Sequence, residues 1–310
     1  MWGRKRMTFH KPPLSVTDQI KLLAQRGMEI PDLAEATHYL THINYYRLRA
    51  YWLPYEATSQ NGDHQFRPGT KFFDVIAVYQ FDRALRLLLL DAIERIEISL
   101  RSRWANYLSI NYGAFAHYEG SLFHDQVKWK RGCDELNKEF QRSHETFAKH
   151  YQERYNHLAT PPIWVSCELM SIGHLSQWIH NMRKPHDRQV IANNYGLDEK
   201  VLVSFLHHLT VVRNHCAHHG RIWNRRLTMK MRLPSKKPAE LIGVFNRDED
   251  AHRRLYNTLV MLAYLLCGIS PESHWRNKLI AFLDSCQQAP TDVMGFPEGW
   301  KTLPLWEEAL

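Results

Sequence analysis

The stretch FDRALRLLLLDAIERIEISLRSRWANYLS, residues 81–109, constrains this chain more than any other. Phe81, Leu85, Leu88, Ala92, Ile96 and Leu100 recur at the spacing that lines one face of an α-helix. Asp82, Arg86, Glu94, Arg101 and Arg103 fall off that stripe, and Gly113 stands just past its end. The pattern predicts a long central scaffold helix, so the fold must supply other helices to cover its apolar face.

Helical period recurs elsewhere. SVTDQIKLLAQRG places Ser15 three residues before Asp18, a capping-box-like start, and stops at Gly27. IPDLAEATHYLTHINYYRLRAYWLPY begins helical and turns aromatic, and Pro54 with residues 58–70 reads as loop. Residues 121–157 are polar and weakly periodic, the mark of a solvent-exposed helix or an inserted element. PPIWVSCELMSIGHLSQWIHNM opens on two prolines suited to a helix start, and Gly173 marks a break inside it. GLDEKVLVSFLHHLTVVRNHCAHHG has Asp198 as N-cap, Gly220 as stop, and Val201, Phe205, Leu209, Val212 and Cys216 as its apolar stripe. RLTMKMRLP alternates apolar and basic residues and predicts a short strand or an extended arm. An apolar helix near 255–268 and a last helix with Pro271 at its first position follow, then loop from Gln287. The expected fold is all-α, one domain over residues 1–310, with an inserted element at 121–157 and a helical extension at 250–310.

Hydrophobic residues make up 44 % of the 310 and charged residues 23 %, which suits a globular chain and excludes wholesale disorder. The net charge of +8 favours a polyanionic partner, nucleic acid before an anionic membrane, against the plainer reading of a soluble basic protein. Five cysteines, an odd number with no CxxC pair, read as reduced thiols and a cytoplasmic location. The start MWGRKRMTFHKPP has no apolar run behind its basic head, so it is not read as a secretory signal. The most apolar stretch, Leu255–Ile269, is shorter than the ~20 residues that span a bilayer, so no membrane partner is expected.

The densest chemistry lies in VVRNHCAHHGRIWNRR, residues 211–226, with three histidines and four arginines in sixteen positions. On a helix, Asn214 and His218 share a face, and His215 and His219 share the next. Arg213 is five residues before His218, about 7.5 Å along the axis at the helical rise, within reach of a curled arginine side chain. A cation, an amide and an imidazole on one turn suit a phosphodiester: the guanidinium matches phosphate oxygens and the imidazole exchanges protons near neutral pH. Competing readings are a structural histidine at the negative helix end, and zinc held by the histidines with Cys216. No HExxH and no CxxC supports the metal, so no cofactor is expected, and a Cys–His nucleophilic pair is disfavoured because Cys216 falls on the apolar stripe. From Arg221 to Lys237 seven Lys or Arg occur without an acidic residue. His219, Arg221, Trp223, Arg225, Arg226 and Lys230 therefore form a candidate RNA-binding edge, phosphate contacts beside a stacking ring, against the reading of an ordinary solvated basic face.

VRNHCAHHGRIWNR resembles the signature of the bacterial Abi (abortive infection) proteins of the AbiD/AbiF type, a group of the HEPN superfamily. INYYRLRAYWLPY, FDRALRLLLLDAIERIEISLR and PPIWVSCELMSIGHLSQW are similar to further blocks of that family, in the same order. The resemblance implies a HEPN-like helical bundle with added helices, and metal-independent RNA cleavage in phage defence. Arg213, Asn214 and His218 would be catalytic, in an Arg-x4-His motif that works in pairs. One copy per chain would then require a homodimer. The resemblance also implies a toxin held by a partner such as a small or antitoxin RNA; a non-cleaving module that holds such an RNA is the alternative. Glu97, Arg101, Glu168 and His174 receive no chemical role, although Glu97 and Arg101 have the spacing of a helical ion pair.

Overall fold

The computed structural model describes residues 12–57, 64–155 and 160–307. The basic head at 1–11 and residues 58–63 of the expected loop lie outside the described residues, as do 156–159, within and just past the expected inserted element, and 308–310. Among the described residues there are thirteen α-helices and no strand, only isolated bridges. The helices are α1 (Val16–Gln25), α2 (Leu33–His42), α3 (Tyr45–Trp52), α4 (Phe72–Tyr112), α5 (Gln126–Arg142), α6 (Thr146–Arg154) and α7 (Ile163–Ser166). Then come α8 (Ile172–Asn181), α9 (Pro185–Asn193), α10 (Glu199–Ala217), α11 (Ala239–Ile242), α12 (Tyr256–Ile269) and α13 (Trp275–Leu283). The all-α expectation holds. The chain divides into two compact units, one up to Asp82 with Cys286–Ala289, the other Arg83–Ser285 with Pro290 onward.

In the first unit Ser15 caps α1 as its position predicts, without the reciprocal backbone bond of a full capping box. The Ser15 oxygen accepts from the Asp18 N–H, its hydroxyl donates to the Asp18 carboxylate at 2.6 Å, and Gly27 takes φ +88° just past the helix. Leu23, Leu48, Tyr51, Trp52, Phe72 and Val75 fill the core. Asp82 is fully buried and accepts the Tyr51 hydroxyl at 2.7 Å.

In the second unit Leu85, Ala92, Ile96 and Leu100 of α4 are buried, as their spacing predicts. Leu88 is only half-buried, and its carbonyl accepts the Trp275 indole N–H at 2.9 Å. Arg86, although it falls off that stripe, is buried too, because Leu89 and Ile93 are also covered and the buried surface is wider than one stripe. At the far end of α4, Tyr107 and Tyr112 donate to the two oxygens of buried Asp187 at 2.9 and 2.8 Å. Burial first, and then this carboxylate, push the Tyr107 phenol well above its ordinary pKa.

The weakly periodic residues 121–157 form α5 and α6. α5 buries only Cys133, Leu136 and Phe140. Gly132 lets it approach α8, since a Cβ there would lie 2.8 Å from the Trp178 indole. The break near Gly173 falls at Met170–Ser171, where Ser171 caps α8 by accepting from the His174 N–H. The tail from Gln287 is no loose loop: Met294, Phe296, Trp300 and Trp306 are buried, and Trp306 donates to the Tyr256 hydroxyl at 3.1 Å.

RLTMKMRLP is an extended arm and not a strand, because side chains satisfy its backbone. The His208 Nδ1–H donates to the Met229 carbonyl and the His252 Nε2–H to that of Met231, both at 2.8 Å, while Ser204 accepts from the Arg232 N–H at 2.8 Å. The Thr258 hydroxyl donates to His208 Nε2 at 2.8 Å, which completes a neutral tautomer. Burial pulls the His208 pKa down from 6.5 to about 4, and that of buried His117 to about 3.

Both shifts make stability depend on pH. Between the native values and 6.5 the unfolded chain binds more protons, so stability is complete above about 6.5 and is lost as pH falls toward 4. The melting temperature should therefore drop from pH 7 to pH 5. His208→Gln should melt lower than wild type at pH 7 and show a flatter acid slope; a slope equal to wild type would place the acid sensitivity elsewhere.

Candidate functional site at the end of helix α10

α10 is capped by Asp198, whose side chain accepts from the Lys200 N–H at 2.9 Å, and buries Val201, Phe205, Leu209, Val212 and Cys216. Its other end sets the geometry of the chemical turn. The helix stops at Ala217, one residue before His218 and three before the expected Gly220. His218 is the C-cap, and His219 adopts the left-handed conformation at φ +58°. The Gly220 N–H then reaches back to the His215 carbonyl at 2.7 Å and the His219 N–H to that of Cys216 at 3.1 Å. These two bonds form a Schellman closure with histidine where glycine is usual. Histidine is among the non-glycine residues that tolerate this region, at some cost.

The closure sorts the histidines. The His218 N–H bonds to the Asn214 carbonyl at 3.0 Å, so these residues keep the one-turn relation that their spacing predicts, and both are exposed. Arg213 is half-buried and donates to the Asn214 side-chain oxygen at 3.4 Å. His215 and His219 do not continue a shared face, because the chain reverses at His219. Gly220 folds back onto the His215 ring instead, and a Cβ on it would lie 3.3 Å from Nδ1. Burial, then the Arg225 charge, hold His215 below its ordinary pKa and favour its neutral form.

The expected RNA-binding edge is only partly laid out as a surface. Trp223 corrects it: the side chain is 2 % exposed, so it belongs to the core and presents no ring for a base. Ile222 beside it is buried too, since burying an indole and an isoleucine outweighs leaving them among solvated cations. His219 and Arg226 are exposed, and Arg221 and Arg225 half-buried. Arg226 pairs with Asp250 at 3.2 Å, and Lys230 pairs with Glu249. The run that is free of acids in sequence thus meets an acidic turn in space.

Sequence reasoning missed Arg86. This buried α4 side chain approaches the Gly220 carbonyl at 3.5 Å, beneath the closure. A cation among the leucines of α4 was the available signal. Glu97, Arg101 and Glu168 form one cluster: Arg101 bonds Glu97, the Met170 carbonyl and, at 3.3 Å, Glu168, tying α4 to the turn before α8. His174 pairs with Glu135 of α5 at 3.3 Å. Among the described residues no group of three or more His, Cys, Asp or Glu is placed to hold a metal ion, and no helix is long and apolar enough to cross a membrane.

A family model described as "Abi-like protein" matches residues 38–224, more than half of the chain, and its match ends within this turn region. No curated protein and no solved structure matches.

The backbone of His219 can be tested apart from its side chain. His219→Gly should be more stable than His219→Ala by about 1 kcal/mol, because only glycine occupies the left-handed region without strain. Equal melting temperatures for the two variants would mean that the turn is not held at positive φ in solution.

Proposed function

The chain belongs to the Abi-like protein family, whose membership supports a role in abortive infection, and from that premise we propose that it is a metal-independent endoribonuclease of the HEPN type, of the AbiD/AbiF kind. The observation that carries the reading is the terminal turn of α10. Asn214 and His218 stand exposed one turn apart, with Arg213 held beside Asn214. A cation, an amide and an imidazole on one turn can serve one phosphodiester.

In the proposed reaction the ribose 2′-oxygen attacks the adjacent phosphorus while His218 takes its proton. The bond to the 5′-oxygen breaks, a proton is delivered to that oxygen, and the products are a 2′,3′-cyclic phosphate and a 5′-hydroxyl. Arg213 stabilises the charged phosphorane and Asn214 orients a group in the site. One motif per chain makes two copies the working unit, with a second α10 end supplying the second imidazole. RNA is the substrate and, as a small or antitoxin RNA, a candidate restraint on the toxin in the cytoplasm.

Purified protein should cleave labelled RNA in EDTA and leave cyclic-phosphate ends. His218→Ala should lower the rate about 10²–10⁴-fold, the usual contribution of a general acid–base group, with little change in RNA affinity. Arg213→Ala should weaken both, since its charge meets ground state and transition state alike. RNA binding with no cleavage by wild type would favour the alternative, a module that holds RNA.

The acidic turn adds a second test. Glu249 and Asp250 compete with phosphate for Lys230 and Arg226. Glu249→Gln with Asp250→Asn should therefore tighten RNA binding and steepen its salt dependence by the contacts released. An unchanged slope would put the RNA path away from Arg226 and Lys230.

A further inference from the structure

The second unit holds an open cavity of about 880 Å³ that none of the α10 turn residues lines. Its size falls in the range of about 300–1,000 Å³ typical of small-molecule sites. One wall is the α4 stripe that includes Ile98, Ser99, Ser102 and Arg103; the others come from the turn at Tyr195–Gly196, from Glu240, and from the end of α12. The walls are held by bonds already made. Ser99 and the Tyr195 hydroxyl are 2.9 Å apart, the Tyr264 hydroxyl donates to the Tyr195 carbonyl at 3.1 Å, and Arg95 is engaged by Asp91 at 3.1 Å and Ser270 at 2.9 Å.

Three polar side chains on these walls remain uncommitted. Ser102, Arg103 and Glu240 make no side-chain hydrogen bond or ion pair among the described residues. Ser102 and Arg103 come from the α4 wall and Glu240 from α11, so the cation and the acid belong to different walls of the cavity. Apolar surface accompanies them, with Ile98 54 % exposed and Ile269 half-buried at the end of α12.

A plain anion would meet the repulsion of Glu240, and a plain cation that of Arg103. A purely apolar guest would bury both charges unpaired. The fitting occupant carries an anion at one end, hydrogen-bond donors at the other and a flat apolar body between. We propose that this cavity binds a nucleoside monophosphate. Its phosphate is taken by the Arg103 fork and the Ser102 hydroxyl, its base lies on Ile98, and its ribose or exocyclic N–H and O–H groups donate to Glu240. The site is separate from the turn at Arg213–His218 and does not depend on cleavage.

Cys267 gives a direct readout, being exposed on the cavity wall, with half-exposed Cys286 as internal reference outside it. The full chain is alkylated with iodoacetamide, and the rate at each cysteine is followed by mass spectrometry with AMP, adenosine, inorganic phosphate or a long RNA present. AMP should slow labelling of Cys267 and leave Cys286 unchanged, with adenosine and phosphate each at least about tenfold weaker, as expected when a charge-assisted bond is lost. Arg103→Ala and Glu240→Ala, both at exposed positions, should each raise the protecting AMP concentration about tenfold. A Cβ at Gly268 meets nothing within 4 Å, so Gly268→Trp should fold, fill the cavity and abolish the AMP effect. No protection by AMP, equal protection by adenosine or phosphate alone, undiminished protection in Arg103→Ala, or protection by long RNA but not AMP would each overturn the proposal.

Discussion

A helix of forty-one residues must find apolar cover along its whole length, and the rest of this structure answers to that demand. Its first turns, with Phe72, Val75 and Phe81, belong to the core of the first unit. From Arg83 onward, Leu85, Leu89, Ala92, Ile93, Ile96 and Leu100 belong to that of the second. Burial on so wide a face carries polar groups inward with the leucines, and each is met by a specific partner. Asp82 takes the Tyr51 hydroxyl, Arg101 is tied to Glu97 and the Met170 carbonyl, and Arg86 reaches the Gly220 carbonyl. Buried charges without such partners would cost more than the apolar contacts return.

Those same polar contacts connect the scaffold to the chemistry. Arg101 fixes the turn that leads into α8, and α8 packs along α10. Arg86 lies under the residues that close α10. The final turn is thus fixed from within by helix capping and from below by a buried cation. The strain at His219 is local and small, but it decides direction: the chain turns away after His218, leaving that imidazole exposed and folding Gly220 onto His215. Three histidines nearly adjacent in sequence acquire three different environments within five residues.

Charge behaves the same way. A net +8 and an acid-free basic run describe a strongly cationic edge, yet Asp250 and Glu249 stand against Arg226 and Lys230. Any polyanion that uses these cations must first displace carboxylates. Exposed surface pairs contribute little to stability, so their effect is on affinity for a competing anion more than on the fold.

Local spacing determined a good part of this protein from sequence alone. The α4 stripe, the Ser15 and Asp198 caps, the Gly27 and Gly113 stops and the buried face of α10 all depend on residues within a turn of one another. The Asn214–His218 relation was legible for the same reason. Tertiary structure decided whatever depends on partners distant in sequence. RLTMKMRLP became an arm because His208 and His252 supply its donors. Trp223 went inward although charged residues flank it, and the tail from Gln287 closed over Tyr256. The end of α10 came earlier than Gly220 suggested, because the bond from Gly220 to His215 asks only that some residue take the left-handed place, and His219 took it. Periodicity records which side of a helix is apolar; it does not record which distant donor, acid or ring will arrive there, and that arrival fixes which of the candidate groups remain exposed.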